Sequence, residues 1–221
     1  MSRSLYLSQL ADLSDVVGHA KLLCPSVGPA GEAVFLLARE NDAHVLEGRD
    51  EQPGWATFPH SRTEHPADAE IVIHNGRRVL RRIGLGDVPL AHPLLQPLPS
   101  GNVVLVGARC RRFQDGSAEQ NARVYSAEGD LLREFVLGDG IQDLQATASG
   151  QIWASYFDEG IFGNYGWNDP IGARGLLRFD TAGAKEWEFE PPVGFESMAD
   201  AYASGQRRLG LLLQPIPGRS N

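Results

Sequence analysis

A chain of 221 residues with 20 Lys and Arg against 28 Asp and Glu carries a net charge of −8, which argues against a broad nucleic-acid or anionic-membrane footprint. Its 42% hydrophobic and 22% charged residues are ordinary for a globular protein, and 25 Gly with 14 Pro favour many short strands over long helices. No stretch approaches the roughly 18 apolar residues of a membrane span, and the first residues lack a signal-peptide pattern, so a cytoplasmic, non-membrane protein is expected.

In chain order, Leu7, Leu10, Leu13 and Val17 fall at helical spacing, with Ser8 as a cap and Gly18 as a stop. This predicts a short helix in an N-terminal segment over residues 1–16, although a strand over the same residues stays open. From residue 17 a repeat emerges. Gly28-Pro-Ala-Gly-Glu-Ala-Val-Phe-Leu-Leu-Ala-Arg39 resembles Leu98-Pro-Ser-Gly-Asn-Val-Val-Leu-Val-Gly-Ala-Arg109 and Thr147-Ala-Ser-Gly-Gln-Ile-Trp-Ala-Ser-Tyr-Phe-Asp158. Each is a small-residue turn followed by a strand rich in β-branched or aromatic residues. Downstream of each comes a strand, a Gly-containing tight turn and a second strand, and the turn glycines Gly76, Gly129 and Gly183 are 53 and 54 residues apart. Leu-Gly-Asp follows two of these hairpins, at Leu85-Gly86-Asp87 and Leu137-Gly138-Asp139.

A period near 50 residues with four strands per copy predicts an all-β, propeller-like fold of about four blades of four antiparallel strands, because one twisted blade cannot bury its own faces and must stack on neighbours. The copies run approximately over 17–86, 87–138 and 139–193. A further blade starts at 194–205, where Asp200-Ala-Tyr-Ala-Ser-Gly205 echoes Gln145-Ala-Thr-Ala-Ser-Gly150, and an irregular tail covers 206–221. In the third copy the strands are expected at 141–148, 151–157, 176–180 and 184–190, with Trp153 in the core. The ragged end predicts a partial, open or truncated propeller that self-associates through open blade edges.

The stretch Asp143-Leu-Gln-Ala-Thr-Ala-Ser-Gly-Gln-Ile-Trp-Ala-Ser-Tyr-Phe-Asp-Glu-Gly160 resembles blade motifs of two-component-regulator-type, NHL-type and lyase-type bacterial propellers, and of uncharacterised propeller proteins of high-GC bacteria. The resemblance spans about residues 17–205 and implies a fold, not an activity. The chain does not resemble a WD-repeat protein, since no Trp-Asp dipeptide occurs.

In such a repeat the connections between second and third strands leave on one face. Here they are long, over 40–69, 110–121 and 159–175, so that face is expected to carry function. In the third loop Asp158, Glu159, Asn164, Asn168 and Asp169 are hard oxygen donors suited to Ca²⁺ or Mg²⁺, although they match no EF-hand spacing and such residues are also common in turns. Tyr165, Trp167 and Asn164 could bind a ligand by stacking and hydrogen bonding, or the rings could pack the loop onto its blade. Arg39, Arg109 and Asp158 align at the ends of second strands, which predicts an Arg109–Asp158 ion pair between blades. His19, His92, Asp143 and Ser197 align near the starts of first strands, where His92 and Asp143 are candidates for acid–base work and Asp143, Asp158 and Glu159 for a metal. Channel-lining polar groups are the plainer account. His44, His60, His65 and His74 lack metal-site spacing.

Cys24 and Cys110, 86 residues apart and outside any CxxC, are expected as free buried thiols. No Walker loop, GxSxG elbow or HExxH motif occurs. The function expected is a binding or interaction scaffold using the long-loop face, with a protein or small ligand as partner. The alternative is a metal-assisted hydrolase, lactonase or lyase at the channel mouth.

Overall fold

The computed structural model describes residues 12–50, 58–201, 206–207 and 210–211. A short helix α1 (Ser14–Val17) leads into β1 (Lys21–Val27) and β2 (Ala33–Ala38), then α2 (Glu40–Leu46) and a small ribbon of β3 (Arg49–Asp50) with β4 (Phe58–Pro59). There follow β5 (Arg62–His74), β6 (Val79–Leu90), β7 (Pro93–Pro97), β8 (Val103–Gly107), β9 (Ala122–Tyr125), β10 (Leu131–Phe135), β11 (Ile141–Ala146) and β12 (Ile152–Tyr156). After α3 (Asp158–Phe162) come β13 (Leu176–Phe179) and β14 (Lys185–Glu188), and a two-stranded ribbon of β15 (Gln206–Arg207) with β16 (Gly210–Leu211) ends the described chain.

The strands form three four-stranded antiparallel sheets, each in sequential order: β1-β2-β5-β6, β7-β8-β9-β10 and β11-β12-β13-β14. The fold is therefore all-β and repetitive. Three such sheets are described rather than about four, and among the described residues they do not close into a ring. The third sheet follows the sequence reading closely. Gly76, Gly129 and Gly183 all have φ between 85° and 95°, a conformation that an L side chain resists, which is why the turn glycine recurs in every copy. One motif misled. Leu85-Gly86-Asp87 lies inside β6, which runs on to Leu90, while Leu137-Gly138-Asp139 marks a true corner between sheets.

Second strands show how the sheets stack. In β8, Val103 and Leu105 join the core against the first sheet, and Val104 and Val106 join the core against the third. A Val-Val-Leu-Val run is what a strand covered on both faces requires. The first core sets Leu36, Ile71 and Ile83 against Leu95, Leu105 and Tyr125, and the second sets Val104, Val106 and Leu137 against Ile152, Tyr156 and Phe179. At the near end of the stack Phe35, Leu37 and Val72 meet Val16 and Val17, so α1 covers the outer face of the first sheet. Gly18, at φ 58°, stops that helix as expected, whereas Leu7, Ser8 and Leu10 lie outside the described residues. At the far end the alternation of β12 sends Ile152, Ala154 and Tyr156 inward and Trp153 outward. Trp153 is thus half-buried rather than a core residue, with its ring 5.3 Å from Trp187 and the Arg178 guanidinium 5.6 Å away.

First strands lie side by side, with β7 touching both β1 and β11. Gln96 on β7 is fully buried and links all three. Its Nε2 donates to the Ser26 hydroxyl and, at 3.3 Å, to the Val27 carbonyl, while its Oε1 accepts from the Ala146 amide at 3.2 Å. The region read as an irregular tail contains the β15–β16 ribbon, and residues 202–205 of the proposed fourth repeat lie outside the described residues.

Replacing Gln96 by Leu keeps the volume and strands the Ala146 amide and the Val27 carbonyl. We expect a loss of about 1–3 kcal/mol in urea unfolding, and a variant within about 0.5 kcal/mol of wild type would show that the amide does not tie the sheets.

Candidate functional site

Antiparallel order sends the three long connections, 39–61, 108–121 and 157–175, to one end of the stack. There they are joined. A backbone relay crosses the sheets: the His92 amide donates to Leu46 (2.8 Å), Ala108 to His92 (3.2 Å) and Ile141 to Ala108 (3.0 Å). Arg62 Nη2 donates to the Gln120 carbonyl at 2.9 Å, tying the start of β5, where the first loop ends, to the second loop. The Arg112 amide donates to the Tyr165 carbonyl at 2.9 Å, and Trp167 Nε1 donates to the Cys110 carbonyl at 2.7 Å, tying the second to the third. The Tyr165 hydroxyl donates to the Pro59 carbonyl at 2.5 Å, which closes the set between third and first.

At the centre is Arg109, just past β8, with a side chain only 5% exposed. Its Nε and Nη2 donate to the two oxygens of Asp139 at 3.0 and 2.9 Å, and its Nη1 lies 2.5 Å from Glu159 Oε2 on α3. The guanidinium sits 4.2 Å from the Tyr165 ring centroid and 5.3 Å from that of Phe157. Asp139 also accepts the Cys110 amide at 2.7 Å. Burial raises the Asp139 carboxyl above its ordinary value, an effect that Arg109 and the Cys110 amide oppose. The backbone approach that brings α3 here depends on two glycines. A Cβ on Gly140 would fall 2.3 Å from the Gly160 nitrogen, and one on Gly160 would fall 2.5 Å from the Asp139 carbonyl oxygen. Beside this knot Asn121 donates to the Gly107 and Gly138 carbonyls and accepts the Leu137 amide, all at 2.9 Å.

The structure redistributes the sequence candidates. Arg109 pairs with Asp139 and Glu159, not with Asp158, which is exposed and accepts the Glu159 amide at 2.7 Å. Arg39 is exposed, 3.9 Å from Asp42 and 4.0 Å from Asp68. Trp167 is 6% exposed and structural, Asn164 accepts the Tyr165 amide at 2.8 Å, and half-buried Tyr165 lies over Arg109. His19 and Ser197 are exposed; Asp143 stands on β11 opposite Ser155 and accepts the Leu144 amide at 2.8 Å. His92, at φ 46°, has Nε2 2.8 Å from the Gly48 carbonyl oxygen, and burial holds its imidazole below the ordinary 6.5. Among the described residues no three His, Cys, Asp or Glu side chains gather in a group that could hold a metal ion. Asp139 and Asn121, which organise this face, were not singled out. The Leu137-Gly138-Asp139 motif was the available signal for the first.

Both cysteines are free, and burial pushes each thiol up to about 12, which makes them poor nucleophiles. Among the described residues the loop face exposes the apolar side chains of Phe113 (46%) and Phe162 (70%) beside polar ones such as Arg111, Gln114, Asp115, Asn168 and Asp169, and a polar cleft of about 380 Å³ lies among His44, Val45, Glu47, Gly48, Arg49 and Glu64.

No protein-family model matches the chain, and no curated protein matches it. Among solved structures it is similar to a protein of unknown function from Bacteroides caccae, at 12% identity over 81% of this chain and 70% of that one, with a TM-score of 0.35. Among the described residues no helix is long and apolar enough to cross a membrane.

Arg109→Met would leave the Asp139 carboxylate buried without its countercharge, at an expected cost of about 3–5 kcal/mol in chemical unfolding. Glu159→Gln, at a group partly in solvent, should cost clearly less, and equal effects would disprove the central place of Asp139. His92 adds a pH dependence. A lowered folded-state value means that its contribution is present above 6.5 and is lost as the pH falls through that folded value. Stability should therefore fall as the pH drops below 6.5, and His92→Asn, which tolerates positive φ, should flatten the fall. Parallel curves for the two proteins would sink this assignment.

Proposed function

We propose that the chain is an open, propeller-like stack of three blades that serves as a binding scaffold, with a protein partner docking on the long-loop face. The observation that supports this reading is the exposure of Phe113 and Phe162 on that face. Large apolar side chains in water mark interaction surfaces when they stand on an ordered frame. The frame here is stiff, because Arg109, Asp139, Tyr165 and Trp167 hold the loops to one another and leave little to order on binding. Two free thiols, Cys110 buried and Cys24 half-buried, suit a cytoplasmic location. The enzymatic alternative, a metal-assisted hydrolase, lactonase or lyase, draws less support, since Glu159 faces Arg109 and His92 faces the Gly48 carbonyl.

The double variant Phe113→Ser/Phe162→Ser tests the reading. Both side chains are exposed, so thermal unfolding should match wild type. Affinity capture from the native cell, quantified by mass spectrometry, should show a wild-type partner depleted about tenfold or more by the double variant. Equal capture by both proteins would remove the loop face from consideration.

A further inference from the structure

A different surface stands at the far end of the stack. Each of the two inter-sheet cores buries one face from both neighbours, and α1 covers the outer face of the first sheet. Among the described residues the outer face of the third sheet is covered toward the loops, where Ser155 and Leu176 are buried and Met198 lies against Gly175. Farther along the strands one registered row crosses all four: Gln145, Trp153, Arg178 and Trp187. Trp187 is 38% exposed, Trp153 and Arg178 are half-buried, and Arg178 Nε lies 3.2 Å from Glu186. Just beyond β14, Val193 and Phe195 are also exposed.

We infer that this tryptophan face pairs with the same face of a second copy of the chain, as a closed two-fold dimer. Two observations select that occupant. At the other end α1 already occupies the outer face of the first sheet, so head-to-tail stacking would have to displace it, and among the described sheet faces a second copy offers this same one. Charge also permits it. The chain carries −8 overall, yet the face sets Arg178 beside Glu186, so a two-fold axis brings each opposite its counterpart and cancels the repulsion. The paired indoles supply the large apolar area that interface centres favour. This surface is separate from the long-loop face, so the two readings stand or fall apart.

The test is sedimentation velocity of the full chain over a rising concentration series. Wild type should pass from monomer to dimer and stop there. Trp187→Glu should remain monomeric with an unchanged melting curve, and Phe113→Ser/Phe162→Ser should still dimerise. Arg178→Glu and Glu186→Arg should each be monomeric alone and form a one-to-one dimer when mixed, a rescue that a merely structural role for either residue would not produce. A wild-type chain that stays monomeric, assemblies that grow beyond the dimer, a dimer that survives Trp187→Glu, or a mixture without rescue would each overturn the inference.

Discussion

A guanidinium almost wholly removed from water can persist only if every side of it is answered, and Arg109 meets that condition through elements from distant parts of the chain. Asp139 comes from the corner before β11, Glu159 from α3, and the Tyr165 and Phe157 rings from the third long connection and its strand. A buried ion pair of this kind adds little net stability, because desolvation consumes most of the Coulombic gain. What it specifies is position. If the third loop moved away, Arg109 would keep Asp139 but lose Glu159 and the Tyr165 ring, so the loop is held to one place. Trp167 and the Tyr165 hydroxyl then transmit that place to the second and first loops.

The same logic governs the opposite end of the sheets, with neutral groups. Gln96 has a donor and an acceptor that must be used because no water reaches them, and the partners within reach belong to β1 and β11. Apolar stacking alone would tolerate small slides of one sheet over another. A buried amide bonded to both neighbouring sheets does not, because a slide that kept one bond would break the other. Arg109 at the loop end and Gln96 along the first strands therefore fix the rotation of the stack that burial merely favours.

The architecture was legible wherever a local rule repeats. Turn glycines at nearly constant spacing require positive φ, and the strand patterns between them define the four strands of each copy. Alternation also tells which side chains share a face, but it does not tell whether that face has a cover. Trp153 and Trp167 therefore exchange the roles expected of them. Trp153 lies on a well-formed strand whose outward side is partly open, while Trp167 lies in a loop and is buried with its N–H bonded. Asp158 was aligned correctly at the end of a second strand, yet Arg109 reaches the corner residue Asp139 and the first turn of α3 instead. Equivalence along a strand fixes height in the stack. It does not fix which of several carboxylates at that height a long side chain meets. His19 and His92 do precede the first strands β1 and β7 and Asp143 stands on β11, but the imidazole of His92 is turned to the Gly48 carbonyl and His19 is exposed, which position along a strand does not foretell.

These constraints separate two surfaces with different physical characters. On the loop face Phe113 and Phe162 stand exposed beside polar side chains such as Arg111, Gln114 and Asp169, above loops that are bonded to one another. On the far face of the third sheet the aromatic row is part of the sheet itself, and its openness follows from where the stack of described sheets stops. The first surface is shaped by loops that differ in length and composition from copy to copy; the second is shaped by the repeat. A change that remodels a loop leaves the registered row of Trp153, Arg178 and Trp187 intact, because that row is held by strand pairing and by the core beneath it. The two surfaces can therefore change independently, since neither is built from Arg109, Asp139 or Gln96, which hold the sheets and loops together.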